Sequence, residues 1–227
     1  TCCFNCPEKK SYPSSYFVDN STSNYLFKKE LFTSIKNLTI VTPSKWLLNI
    51  VKDSFLKSYQ IKVINNGIDL NKFHPRNSDF KQKNNLENKF IILGVANVWN
   101  DRKGFEYFIK LSKLINDDEV IVLVGLTKKQ KASLPKNILG ITRTQNVEEL
   151  VEIYSAVDVF VNPSLEDTFP TTNLEALACG TPVITFNTGG SVESVSNDTG
   201  YIIEKGDINT LFSKISEIKR KGKKYYK

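Results

Sequence analysis

The chain contains no methionine, and among its 227 residues there is one histidine, His74. It has no apolar run near the ~20 residues that a membrane-crossing helix needs. Its opening, "TCCFNCPEKK", has neither the basic start nor the apolar middle of a secretory leader. A chain without methionine even at position 1 reads as a piece of a longer protein. Cysteine is scarce as well, and four are too few for the disulfide scaffold of a small secreted domain. Cys2, Cys3 and Cys6 cluster at the start and include one C-x-x-C, which is half of a zinc site. No second Cys or His pair follows, so the cluster reads as reduced thiols in a cytoplasmic protein, with a metal knuckle as the alternative. Cys179 falls on the apolar side of a helix and reads as a packing residue.

The net charge of +7 is unevenly placed, because +6 of it sits in the last fourteen residues, "KISEIKRKGKKYYK". A basic tail on a near-neutral body is not the basic face of a nucleic-acid binder. Such a tail suits an anionic membrane surface, which would put the protein at the inner face of a membrane. The plainer reading is a solvated, partly frayed last helix.

The remainder is ordinary for a soluble globular protein, with 40% apolar and 24% charged residues. Hydrophobic periodicity alternates along the chain. It predicts a helix over 24–38, a strand over 38–42 and a helix over 45–56 begun by Ser44. A polar stretch over 71–89 reads as a loop. Further strands are expected over 90–96, 119–125, 137–142, 157–163, 182–186 and 200–204, with helices over 104–115, 128–134 and 147–156, and a last one capped by Asp207. Strands that are apolar on both faces and alternate with helices imply a parallel sheet covered on both sides, a doubly wound α/β domain. Such sheets take ligands at the carboxyl ends of their strands. The segments there are 94–103, 125–128, 141–144, 162–172 and 187–191.

The edge after 90–96 has no G-x-G-x-x-G, and no Walker A occurs anywhere, so neither common nucleotide fingerprint is present. That edge does carry Arg102 and Lys103 at a helix start, where cations are disfavoured unless an anion offsets them. The matching stretch is "EDTFPTTNLEALACGTPVIT", residues 166–185. Thr172 and Glu175 have the spacing of a capping box. Gly180 and Pro182 stand where a helix would stop. Asp167 and Glu175 would repel a phosphate, yet both suit hydroxyls. A ligand with both parts, a diphosphate and sugar hydroxyls, is a sugar nucleotide.

"PSLEDTFPTTNLEALACGTPVITFNTGG" resembles the donor-binding stretch of GT-B glycosyltransferases of family 4, the glycosyl transferases group 1. "VTPSKWL", "KVINNGID" and "GVANVWNDRKGF" resemble that family's shorter motifs, in the same order, and the colanic-acid or exopolysaccharide branch is the most similar. The resemblance implies a Rossmann-like donor domain, the C-terminal half of a GT-B fold, over 61–227. Residues 1–60 would be the tail of an acceptor domain, and the last helix would lie beyond Lys227. It implies a UDP- or GDP-sugar donor, a carbohydrate or lipid-linked acceptor, retention at the anomeric carbon, no cofactor and no metal. The family's paired acids fall on Asp167, beside the transferred sugar, and Glu175, on the ribose. Phe169, Pro170, Thr171 and Thr172 would approach sugar and diphosphate through their backbone. Lys103 matches the diphosphate lysine. The family's upstream arginine falls near Asn97, so Arg102 stands in for its charge. Gly67 matches a glycine between the domains, and Ile141 to Arg143 the loop that holds the base. "NDDE", 116–119, superficially resembles a metal-binding D-x-D but reads as a turn. A non-catalytic binding module of the same fold is the alternative, and this piece alone is expected to transfer poorly.

Overall fold

The computed structural model describes residue 15 and residues 18–226, so Cys2, Cys3, Cys6 and Lys227 lie outside the described residues. The chain divides into two compact units, residues up to 42 with 47–64, and residues 43–46 with 65 onward. In the first, α1 (Ser21–Thr33) buries none of its residues. The strands β1 (Thr39–Thr42) and β2 (Gln60–Val63) pair in parallel, Ile40 opposite Ile61. The segment between them carries α2 (Lys45–Lys52). The Tyr59 hydroxyl donates to the carbonyls of Phe32 and Ile35 at 2.8 and 3.0 Å, tying the end of α1 to β2.

The second unit is a six-stranded, all-parallel sheet. After a short helix α3 (Phe80–Lys83) come β3 (Phe90–Val95), α4 (Phe105–Leu111), β4 (Glu119–Val124), α5 (Lys128–Ala132) and β5 (Ile138–Ile141). Then follow α6 (Val147–Ala156), β6 (Val159–Asn162), α7 (Thr171–Ala178), β7 (Val183–Phe186), β8 (Gly200–Ile203) and α8 (Ile208–Lys221). The six strands lie in the order β5-β4-β3-β6-β7-β8. Successive side chains point to opposite faces of a strand, and β3 shows the consequence. Ile92 joins one core with Phe108, Leu111, Leu211 and Ile215 of α4 and α8. Ile91 and Leu93 join the other with Phe80, Val151, Tyr154 and Ala176 of α3, α6 and α7. Helices therefore cover both faces, the doubly wound α/β arrangement that the alternating pattern predicts.

Three expectations need correction. The stretch 71–89 is not all loop, since it holds α3, which Phe80 anchors in the core at 8% exposure. Nor is the basic end frayed. Helix α8 runs to Lys221 and is followed by a 3₁₀ turn at Lys223–Tyr225. Its lysines are engaged: Glu217 pairs with both Lys214 and Lys221, and Lys219 with Asp118 and Glu119. These last bonds occupy two of the acids of "NDDE", at the amino edge of β4. The third correction concerns the start of α7 and follows below.

Candidate functional site

Strand order reverses between β3 and β6, since β4 and β5 extend one way from β3 while β7 and β8 extend the other. Loops leaving the carboxyl ends of two such strands diverge to opposite faces and open a crevice. On the β3 side, Asn100 caps a 3₁₀ turn, Asp101–Lys103, its side chain accepting from the Lys103 N–H at 3.0 Å. Gly104 follows with φ +73°, and a Cβ there would sit 2.2 Å from the Pro163 carbonyl oxygen beyond β6. Only glycine allows that backbone and that approach. The Leu165 N–H donates to the Arg102 carbonyl at 2.8 Å. These contacts lock the two loops together, and across them the Lys103 ammonium meets the Asp167 carboxylate at 2.7 Å. An ammonium has three donors, so two remain for an anion's oxygens. Arg102 itself is exposed.

The Asp167 loop is held from the far side by the segment after β7. The Gly190 N–H donates to the Asp167 carbonyl at 2.9 Å, and the Thr188 hydroxyl to the Ser164 carbonyl at 2.7 Å. A Cβ on Gly189 or Gly190 would come within 2.1 Å of Asp167 O or 1.8 Å of Thr168 O. Phe169 is buried, and its carbonyl accepts from the Asn66 amide at 3.0 Å. The hydroxyls of Ser164 and Ser191 in these segments are buried without a partner among the described residues.

Helix α7 starts at Thr171, with Pro170 in the cap position and no side-chain cap bond. The expected Thr172–Glu175 capping box is therefore not formed. Proline fixes the start two residues earlier, which places Thr172 inside the first turn. The other end is as predicted: Gly180 at φ +71° closes a Schellman motif, with Gly180 N–H to Leu177 O and Thr181 N–H to Ala176 O, both 2.9 Å. Freed from capping, Glu175 accepts instead from the Tyr154 hydroxyl at 2.9 Å. Burial raises the Glu175 carboxyl above its usual 4.5, and hydrogen bonds from Tyr154 and Thr171 oppose the rise. Tyr154 is pushed well above its usual value, by burial first and by the Glu175 charge second. One residue pair along, Asn173 is fully buried, its amide oxygen accepting from Asn162 and its amide nitrogen donating to Ser194, each at 2.9 Å.

A cavity of about 490 Å³ lies at the carboxyl ends of β3, β4 and β5, lined by Ala96, Asn97, Gly125, Arg143, Leu150 and Thr172 among others. Its size is within the range of small-molecule sites. Of the predicted residues it brings together Asn97, Arg143 and Thr172. It does not bring Lys103 and Glu175 onto one wall. Glu175 lies one turn beyond Thr172, about 4.5 Å along the helix, while Lys103, Arg102 and Asp167 belong to the β3–β6 crevice. Phe169, Pro170 and Thr171 form the stretch linking that crevice to α7. Gly67 is exposed, and a Cβ there would meet nothing within 4 Å, so it joins neither cluster. Sequence reasoning missed Tyr154, Asn162, Asn173 and Ser194. Asn162, a polar residue ending the apolar run "VFV", was the one available signal. Among the described residues no group of three or more His, Cys, Asp or Glu is placed to hold a metal ion.

The family model for glycosyl transferases group 1 matches residues 89–220, more than half of the chain. The chain belongs to that family. This group 1 chain is 28% identical over 185 residues to the capsular polysaccharide biosynthesis glycosyltransferase CapM of Staphylococcus aureus, covering 74% of this chain and 48% of CapM. It is 29% identical over 187 residues to the UDP-Gal:alpha-D-GlcNAc-diphosphoundecaprenol alpha-1,3-galactosyltransferase of Escherichia coli, covering 74% and 47%. It thus spans about half the length of these curated relatives. Among solved structures, Anabaena Alr3699/HepE in complex with UDP-glucose matches with a TM-score of 0.73 at 18% identity, over 90% of this chain and 59% of that one. At that identity the likeness concerns the fold.

Proposed function

We propose that the second unit binds a nucleotide diphosphate sugar, and that the complete protein transfers the sugar with retention to a hydroxyl of a carbohydrate or lipid-linked acceptor in polysaccharide or glycolipid synthesis. The observation that carries this reading is the Lys103–Asp167 pair, locked across the strand-order reversal beside the start of α7. A cation for the diphosphate and a carboxylate for sugar hydroxyls stand together there, as the two halves of such a donor require. The base is assigned to the cavity lined by Asn97 and Arg143, with Thr172 between base and diphosphate and Glu175 one turn beyond on the ribose. Arg102 adds charge at the leaving diphosphate, whose developing negative charge Lys103 stabilises. UDP is favoured over GDP because the names of the Escherichia coli relative and the Anabaena structure both carry UDP.

In this proposal residues 1–60 are the end of an acceptor domain and 61–227 the donor domain, so this piece binds donor and transfers poorly. No described helix is long and apolar enough to cross a membrane. For a lipid-linked acceptor we propose peripheral contact at the cytoplasmic face. Melting curves with UDP, GDP, ADP and their sugars test the binding. A ligand at 100 times its Kd adds about 2.7 kcal/mol, which is roughly 5–10 °C for a chain of this size. Lys103→Ala should remove most of the shift. An unchanged shift in that variant, or none with any nucleotide, would overturn the proposal. The binding-module alternative is separated by Glu175→Ala in the complete protein, since only an enzyme loses transfer.

A further inference from the structure

A second cavity, of about 640 Å³, lies where α6, α7 and α8 end. Helices α6 and α7 lead into β6 and β7, so their ends mark the amino edge of the sheet, opposite the proposed donor site. The lining includes Arg76, Lys221, Lys223 and Lys224 and no Asp or Glu. Lys221 is matched by Glu217 at 2.7 Å. The other three have no carboxylate partner among the described residues.

The bland account is that these cations offset helix ends. It covers Lys223, whose ammonium donates to the Ser155 and Val157 carbonyls at the end of α6, at 2.8 and 3.0 Å. It does not cover the sum, because three helix ends contribute about −0.5 charge each, about −1.5 in all, against three unmatched cations. Burial lowers Lys223 to about 8. Asp158 and the Cys179 thiol oppose that fall, while Lys81, paired with Asp158, adds to it.

We propose that this cavity binds a phosphate group, either free or on a lipid headgroup. A phosphate has enough acceptor oxygens for several cations at once, and Arg76, whose Nε and Nη2 donate to His74 and to the Lys72 carbonyl at 3.3 and 3.1 Å, has its Nη1 donors for it. The walls contributed by Pro75 and Tyr226 suit an apolar body attached to that phosphate.

The test uses the 227-residue chain carrying Lys103→Ala, so that the donor site does not take up the anion. Calorimetric titration with inorganic phosphate is expected to show binding, weakened about tenfold by Arg76→Gln and by Lys224→Glu, the worth of one hydrogen bond to a charged group. Lys113→Glu, an exposed site outside the cavity, should leave it unchanged. Flotation with phosphatidylcholine vesicles, with and without phosphatidic acid, separates the sources. Flotation that needs phosphatidic acid and fails in both cavity variants identifies a lipid phosphate. Phosphate binding without flotation identifies a free one. Absence of both, or equal weakening by Lys113→Glu, overturns the proposal.

Discussion

Replacing Tyr154 with phenylalanine removes one hydroxyl and keeps the ring that packs edge-on against Phe160. The lost bond, 2.9 Å to Glu175, runs from a buried hydroxyl to a partly buried carboxylate. A hydrogen bond to a charged group contributes about 1.5–3 kcal/mol, and one between neutral groups about 1 kcal/mol. Glu175 titrates above 4.5 in the folded protein. Protons are therefore held more by the folded than by the unfolded state just above pH 4.5, and this group's contribution to stability falls as pH rises through its folded pKa. Tyr154→Phe removes an interaction that opposes the rise, so it moves the folded pKa further up. At pH 7 the variant should lose about 1.5–3 kcal/mol, or roughly 3–12 °C in melting temperature. Near pH 4, where the carboxyl is mostly protonated in both states, the loss should shrink towards about 1 kcal/mol. Urea unfolding at both pH values, repeated in a Glu175→Gln background, measures it. An equal loss at pH 7 and pH 4 would refute the assignment of the Tyr154 hydroxyl to an ionised Glu175.

Gly104→Ala forces a Cβ to 2.2 Å from Pro163 O at a positive φ; a loss of about 2 kcal/mol or more in urea unfolding is expected. Gly67→Ala, with nothing within 4 Å, should stay within about 0.5 kcal/mol. Asn173→Ala orphans buried bonds to Asn162 and Ser194, at about 1–3 kcal/mol each, and should lower the melting temperature correspondingly. Lys223 titrates at about 8 when folded, below its usual 10.5. The unfolded chain thus holds more protons between those values, stability climbs as pH rises from 8, and Lys223→Met should flatten the climb.

The strands were readable because burial on both faces leaves near-continuous apolar runs. Helix α6 was readable because the apolar period persists through Ala156, and in the structure Asn146 caps it. Helix α3 was not, since four residues, "FKQK", are too few to display a period. The start of α7 differs from the expectation because Pro170 and Thr172, two residues apart, both suit a helix start, and sequence alone does not say which prevails. Within the site, Lys103 and Asp167 were legible as types at the ligand edge. Their pairing across 64 residues was not. The same holds for Tyr154 with Glu175 and Asn162 with Asn173, whose partners are chosen by the fold and leave no local mark.

The junction of β3 with β6 joins two runs of chain that fold around separate crossovers, with Ile92 beside Val159 and Leu93 beside Phe160. Neither the β3-β4-β5 half nor the β6-β7-β8 half owns both Lys103 and Asp167. Cutting the chain near Gln145, between β5 and α6, should therefore yield two pieces that regain ligand affinity only on mixing, and nucleotide binding becomes a gauge of whether the final seam of the sheet has closed.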